Sequence, residues 1–454
     1  MKQFFYFIFA IFFLLPLSAI SQYKIEGTII HYSGQKLTLL EYFGDSHNFA
    51  DSTTTDENGR FAFELDATGQ PGLYSIALGN RPVFNLIFNY ENIVLKYDAG
   101  AYQLPEFIFS VENLIYYDYL VRSDRFAQKT GLLAEILQYY PEKDSFYRTT
   151  LEHYQELQDE FRNYTNRIIE EHPDMLVAHI IKSDRPVKVP EDLDWENYLA
   201  FNRAHYLDET DFTDTLLINT NVLTARAIDY LAFYSGKNIS KEIQEQLFMQ
   251  AVDTILFKAM DNGKVYDFLM QYMIEGFEMY GFEKVLSHIA ENYEPANTCV
   301  NEDRKSELQK RVENLRRLAV GMQAPEIAIE DASGKKFSIS QLESKHILIL
   351  FWSGSCPHCN AMMPGLKKLY KDPSTDFEVI AISLDTSAAD YNQALAEHAL
   401  PWINYTDLKG WNSKPAIDYS IYATPSMFLL DSDRIILARP TSVYELKNAL
   451  AGIK

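Results

Sequence analysis

Cysteine is scarce in this chain. There are three in 454 residues, Cys299, Cys356 and Cys359. A scaffold held together by disulfides would need several spaced pairs, so this chain must fold by burying a core. Positive charge is also in deficit: 41 Lys and Arg stand against 63 Asp and Glu, for a net charge of −22. That balance argues against nucleic acid or an anionic membrane surface as a partner. No phosphate-binding glycine loop, HExxH helix, zinc-type Cys/His quartet or Met-rich tract is present. After the first twenty residues there is no second apolar run long enough to cross a bilayer.

The first residues read as an export signal. Lys2 precedes an apolar run from Phe4 to Leu15, then Pro16, and Ala19-Ile20-Ser21 supplies the small residues of a cleavage site. Residues 1–21 are therefore expected to leave, with Gln22–Lys454 exported to the periplasm or cell envelope. The membrane would be met only through this signal, if it stayed uncleaved. No Cys follows the run, so lipid attachment is not expected there.

Hydrophobic residues make up 47% of the chain, enough for real cores in two or three domains. Residues 22–103 read as a small antiparallel β domain. Runs such as Lys36–Phe43, Arg60–Leu65, Leu73–Leu78 and Val83–Phe88 are separated by turn chemistry at Asp56-Glu57-Asn58-Gly59 and Gly69-Gln70-Pro71-Gly72. It carries no catalytic constellation, and serves either as a partner-binding or dimerising module or as a spacer. Residues 104–318 change period. Leu151, Tyr154, Leu157, Phe161, Tyr164 and Ile168 recur at three- and four-residue steps, so an all-α middle domain is expected, its many aromatics packing the core. Residues 319–454 read as α/β: a leading hairpin over Glu326–Ile339 turning at Ala332-Ser333-Gly334-Lys335, strands at His346–Trp352, Phe377–Leu384, Pro425–Leu430 and Arg434–Ala438, and helices from Pro357, near Ala388–His398 and near Ser442–Ala451. A β-α-β half followed by a β-β-α half is the pattern of a thioredoxin fold.

Cys356-Pro357-His358-Cys359 sits where the apolar strand His346–Trp352 gives way to a helix. Pro357 suits the first helical position, where its missing N–H would be unpaired anyway. Cys356 would then face the free N–H groups and the positive end of the helix, which favours thiolate over thiol. Cys359 follows one turn on, within reach to close a Cys356–Cys359 disulfide. A protonated His358 would stabilise the thiolate further and make the couple more oxidising than a reducing thioredoxin; the same Pro-His pair occurs in DsbA-type oxidants. Cys299 reads as a buried small hydrophobe.

Further residues carry a resemblance: Gly321-Met322-Gln323-Ala324-Pro325, Phe351-Trp352, the Cys-Pro-His-Cys motif, Pro364, Ile382-Ser383-Leu384-Asp385 and Thr424-Pro425. Over these, Gly321 to about Ala451 resembles the TlpA/ResA-like branch of exported thiol-disulfide oxidoreductases of the thioredoxin-like superfamily. The region before it resembles the β-then-helical extensions that such proteins carry in Bacteroidota. The resemblance implies that Cys356 attacks a client disulfide, that Cys359 resolves the mixed disulfide, and that Thr424-Pro425 is a cis peptide facing the motif. Trp352 and Thr424-Pro425 are expected to shape the ledge that receives the client. No cofactor is implied; the partners are client proteins with disulfides or thiols and an upstream thiol redox partner. Two positions depart from the pattern. Met362 stands where many relatives carry Glu, and Leu350 where thioredoxins often carry a buried Asp.

Two other chemistries fit the same cysteines. A thiol peroxidase of this fold would match at Ser353 but expects Pro where Ile349 stands. A Cu(I) carrier or adaptor would use the Cys356 and Cys359 thiolates with His358 or an outside ligand, since Cu(I) prefers thiolates.

Overall fold

The computed structural model describes residues 22–66, 69–101, 103–190, 197–296, 302–330 and 336–452. The proposed signal, Cys299 and the turn at 332–335 lie outside the described residues. The chain divides into two compact units, Met1–Phe233 and Tyr234–Lys454. The helical stretch expected between 104 and 318 is thus shared between them.

In the first unit, β1 (Gln22–Ile30), β2 (Lys36–Phe43), β3 (Ser46–Thr54), β4 (Arg60–Asp66), β5 (Gly72–Leu78), β6 (Arg81–Phe88), β7 (Ile93–Asp98) and β8 (Glu106–Phe109) form two four-stranded sheets. Their orders are β4-β1-β7-β8 and β3-β2-β5-β6. Inward residues of both, such as Ile25, Leu37, Phe63, Ile76 and Leu95, share one core. The expectation of an antiparallel domain needs two corrections. β1 and β7 run parallel, with Ile25 opposite Ile93. A parallel neighbour requires a long crossover, and the five strands between β1 and β7 supply one. Further, β8 falls inside the stretch expected to be all-α. Its four residues, EFIF, show no alternation to read, yet they pair with β7. Among the described residues, α1 (Val111–Tyr139), α2 (Ser145–Glu171), α3 (Leu176–Asp184), α4 (Tyr198–His205) and α5 (Val222–Ala232) follow. α2 ends at His172, just before Pro173, because proline cannot continue a helix.

The second unit opens with α6 (Lys241–Ala259), α7 (Gly263–Tyr280), α8 (Glu283–Asn292) and α9 (Glu302–Arg317). A hairpin of β9 (Ala328–Glu330) and β10 (Lys336–Ser338) leads to β11 (His346–Trp352), α10 (Pro357–Tyr370), β12 (Glu378–Ser383), α11 (Ala388–His398), β13 (Ile403–Tyr405), α12 (Lys414–Asp418), β14 (Ser426–Asp431), β15 (Ile436–Ala438) and α13 (Val443–Gly452). The five-stranded sheet has the order β13-β12-β11-β14-β15, with β11 parallel to β12 and antiparallel to β14. This is the thioredoxin-like arrangement expected of the C-terminal region.

β11 is buried along its whole length, and its alternation divides the unit into two cores. Ile347, Ile349 and Phe351 pack with Leu318, Ile339 and Tyr419 on one face. Leu348, Leu350 and Trp352 pack with Cys359, Met363, Leu366 and Leu446 on the other. The second cysteine is thus part of a hydrophobic layer. Among the described residues, no helix is long and apolar enough to cross a membrane.

Candidate functional site

The strand-to-helix junction positions the first sulfur. Cys356 is the N-cap of α10, with extended backbone angles (φ −84°, ψ 113°) and Pro357 at the head of the helix. A cap side chain accepts from the N–H groups that the first turn leaves free. Here the acceptor is sulfur: the Cys359 N–H donates to Cys356 Sγ at 3.2 Å. On its other side, Cys356 Sγ donates to the Thr424 carbonyl at 3.3 Å. The Thr424–Pro425 peptide is cis, as the resemblance implied.

Burial by itself would raise the Cys356 thiol. Hydrogen bonds from the Cys359 thiol, the Thr424 side chain and the backbone N–H groups of Cys359 and His358 outweigh it and hold the pKa below the ordinary thiol value. Cys359 lies on the opposite side of the balance. It is fully buried, and burial together with the neighbouring Cys356 pushes its pKa up to about 12. Both sulfurs are free, so the structure is that of the dithiol. One half-exposed sulfur is prepared to ionise while its buried partner holds its proton.

The other residues singled out from sequence fall into two groups. Pro357 and His358 are exposed beside the sulfur, and Thr424 and Pro425 are half-buried against it. The His358 backbone, rather than its imidazole, is what bonds toward Cys356. Trp352 is a correction. It is fully buried in the layer that holds Cys359 and cannot form part of a client ledge. Strand alternation places it there, on the same face as Leu348 and Leu350. Its indole N–H has no hydrogen-bond partner among the described residues. At the two departures from the family pattern, Leu350 lies in the same buried layer as Cys359 and Met362 packs at its margin.

One contributor was not picked out as a site residue. Asp385 is buried, and its carboxylate accepts from the Ser353 hydroxyl at 2.6 Å, the Ser383 hydroxyl at 2.7 Å and the Gly354 N–H at 3.0 Å. It therefore ties the loop before Cys356 to the end of β12. A side chain at Gly354 would place its Cβ 2.7 Å from Ala394 Cβ, so the loop can lie this close only as glycine. Asn360 closes the loop from the helix side, donating to the Gly354 carbonyl at 2.9 Å. Ser383 and Asp385 belong to the motif noted from sequence, but the Ser353 and Gly354 partners of Asp385 lie some thirty residues away.

A groove of about 720 Å³ opens next to the residues around Cys356, lined by His358, Met362, Thr424 and Pro425 and by Glu278, Met279, Tyr280, Gly281 and Glu283 of the α7–α8 corner. Among the described residues, no group of three or more His, Cys, Asp or Glu is gathered as a metal site.

Comparison with known proteins places this geometry in company. Residues 320–439 match the AhpC/TSA family. The thioredoxin-like protein YneN of Bacillus subtilis is 29% identical over 119 residues, covering 26% of this chain and 68% of that protein. The thiol-disulfide oxidoreductase ResA of Bacillus cereus is 29% identical over 118 residues, covering 26% of this chain and 66% of that protein. Among solved structures, a thiol-disulfide oxidoreductase from Bacteroides fragilis is similar over 29% of this chain and 99% of its own, at 29% identity and a TM-score of 0.26. A thioredoxin-like protein from Bacteroides caccae covers 60% of this chain and 99% of its own, at 20% identity and a TM-score of 0.42.

Proposed function

We propose, for a chain whose residues 320–439 are of the AhpC/TSA thioredoxin-like family, that it is an exported thiol-disulfide oxidoreductase acting on client proteins through Cys356 and Cys359. The observation that carries this is the placement of the two sulfurs within one helical turn: Cys356 caps α10 and accepts the Cys359 N–H at 3.2 Å, while Cys359 is fully buried behind it. The names of the ResA relatives support it.

In reduction, the Cys356 thiolate attacks one sulfur of a client disulfide. The client S–S bond breaks, one client sulfur leaves as thiolate, and a Cys356–client disulfide forms. Cys359 then gives up its proton and attacks Cys356 Sγ, releasing the second client thiol and leaving a Cys356–Cys359 disulfide. An upstream thiol partner returns the pair to the dithiol; oxidation of a client runs the same steps backward. The missing carboxylates at Leu350 and Met362 bear on the second step. Two of the causes that hold the Cys359 proton are its hydrogen bond to Cys356 and the charge of Cys356. Both disappear once Cys356 is tied up in the mixed disulfide, so Cys359 ionises more easily at the stage that needs it.

Residues 1–21 are proposed as the signal that takes the protein to the periplasm or cell envelope. The test of the exchange reading is a Cys359→Ala variant. Mixed disulfides with client proteins through Cys356 should accumulate on it and vanish on reduction; a variant that traps none defeats the reading. Thiol peroxidase activity is the second reading, favoured by the AhpC/TSA match. Against it, the Ser353 hydroxyl is already bonded to Asp385. Peroxide consumption that needs Cys356 but not Cys359 would decide for it.

A further inference from the structure

We propose that the α7–α8 corner is the far wall of the client groove and selects clients whose disulfide is flanked by apolar or aromatic residues. This rests on the exchange reading above.

The groove begins at the residues touching Cys356, so its occupant is the molecule that brings a disulfide to that sulfur. Its volume, about 720 Å³, lies within the roughly 300–1,000 Å³ of ordinary ligand sites and is far larger than one disulfide needs. Met279 and Tyr280 end α7 on the opposite wall. They are 77% and 72% exposed, and neither belongs to a core. Two adjacent large apolar side chains left in water on the wall of the groove that reaches His358 and Thr424 mark a contact surface. Tyr422, 48% exposed, and Met362 face the same groove from the redox side.

The chemistry of the wall specifies the occupant. Its two carboxylates are already engaged: Glu283 pairs with Arg439 at 2.9 Å and Glu278 with Arg311. What remains for a client is thioether and aromatic surface, which suits uncharged apolar side chains. Met is adaptable enough to accept several of them.

The corner is also held in place. Gly281 caps α7 in the left-handed region (φ 68°), and a Cβ there would come within 2.6 Å of Thr441 Cγ2. Glu283, at the start of α8, pairs with Arg439 at 2.9 Å and ties the corner to the segment that follows β15. The wall thus needs no ordering when a client arrives, which removes a cost of binding.

The experiment uses the full chain and three substrates: a disulfide peptide flanked by Leu and Phe, the same disulfide flanked by Ser and Gly, and bis(2-hydroxyethyl) disulfide. Met279→Ser and Tyr280→Ser are exposed changes that leave both cores intact. Each should raise KM for the apolar peptide by about tenfold, the effect of a contact worth somewhat over 1 kcal/mol, with kcat unchanged. Turnover of the polar peptide and the small disulfide should stay within about twofold. Equal losses on all three substrates, or no loss on the apolar peptide, overturn the proposal. Failure of the unmodified protein to turn over any of the three, or survival of turnover in Cys356→Ser, defeats the exchange reading itself.

Discussion

Two buried carboxylates, one in each unit, perform the same physical task with different consequences. Glu112, in the first turn of α1, accepts from the Asn89 side chain at 2.6 Å and from the Leu176 and Val177 N–H groups at 3.0 and 3.3 Å. It supplies the start of α3 with the cap that Met175 does not provide. Asp385 likewise gathers a backbone N–H and two hydroxyls, but the segment it holds runs into Cys356. A buried acid is therefore no sign of catalysis by itself; its meaning comes from what its partners are attached to.

Substitutions can separate the two regions by their readouts. The largest effect is expected at the sulfur. Cys356→Ser should lower disulfide exchange by at least ~10³-fold, because a hydroxyl at this site is hardly ionised, while the urea midpoint stays put. Glu112→Ala should cost about 2–3 kcal/mol in urea unfolding, the cost of leaving buried donors without a partner, with alkylation of Cys356 by iodoacetamide unaltered. Asp385→Ala should give a similar loss of stability and in addition slow exchange on the order of tenfold through misplacement of the loop. If the two alanine variants proved alike in both readouts, the distinction drawn above would be wrong.

Proton linkage sharpens the contrast. Burial raises the Glu112 pKa above its ordinary value. Between the two values the folded state binds more protons than the unfolded one, so this carboxyl's contribution to stability falls as pH rises through that window. Glu112→Gln should flatten that part of the stability curve. Cys356 runs the other way: its lowered pKa means that alkylation should reach its plateau at a lower pH than for a free thiol. The smallest effect belongs to His358→Ala, which keeps the backbone N–H and removes an exposed ring. A change beyond ~0.5 in the Cys356 thiol pKa, large for a solvent-screened charge, would restore to the imidazole the added stabilisation expected from sequence.

What could be read from the sequence followed from local rules. Pro357 at a helix start and an unbroken apolar strand before it were enough to locate Cys356 as a cap. The face of Trp352 could also have been read, since Leu348, Leu350 and Trp352 are two residues apart. The rest depended on distant partners. Asp385 reaches Gly354 across thirty-one residues, the parallel pairing of β1 and β7 is set by register, and the corner at Met279 and Tyr280 is separated in sequence from the cysteines it approaches. Periodicity reports that a segment is helical, not which neighbour its ends will meet.

The burial of Trp352 has a practical side. Its indole is packed into the same layer as Cys359, shielded from water. Disulfides quench the emission of nearby indoles, so oxidation of the pair should dim the intrinsic fluorescence of this protein. Its redox state could then be followed in solution by light alone, without attaching any dye.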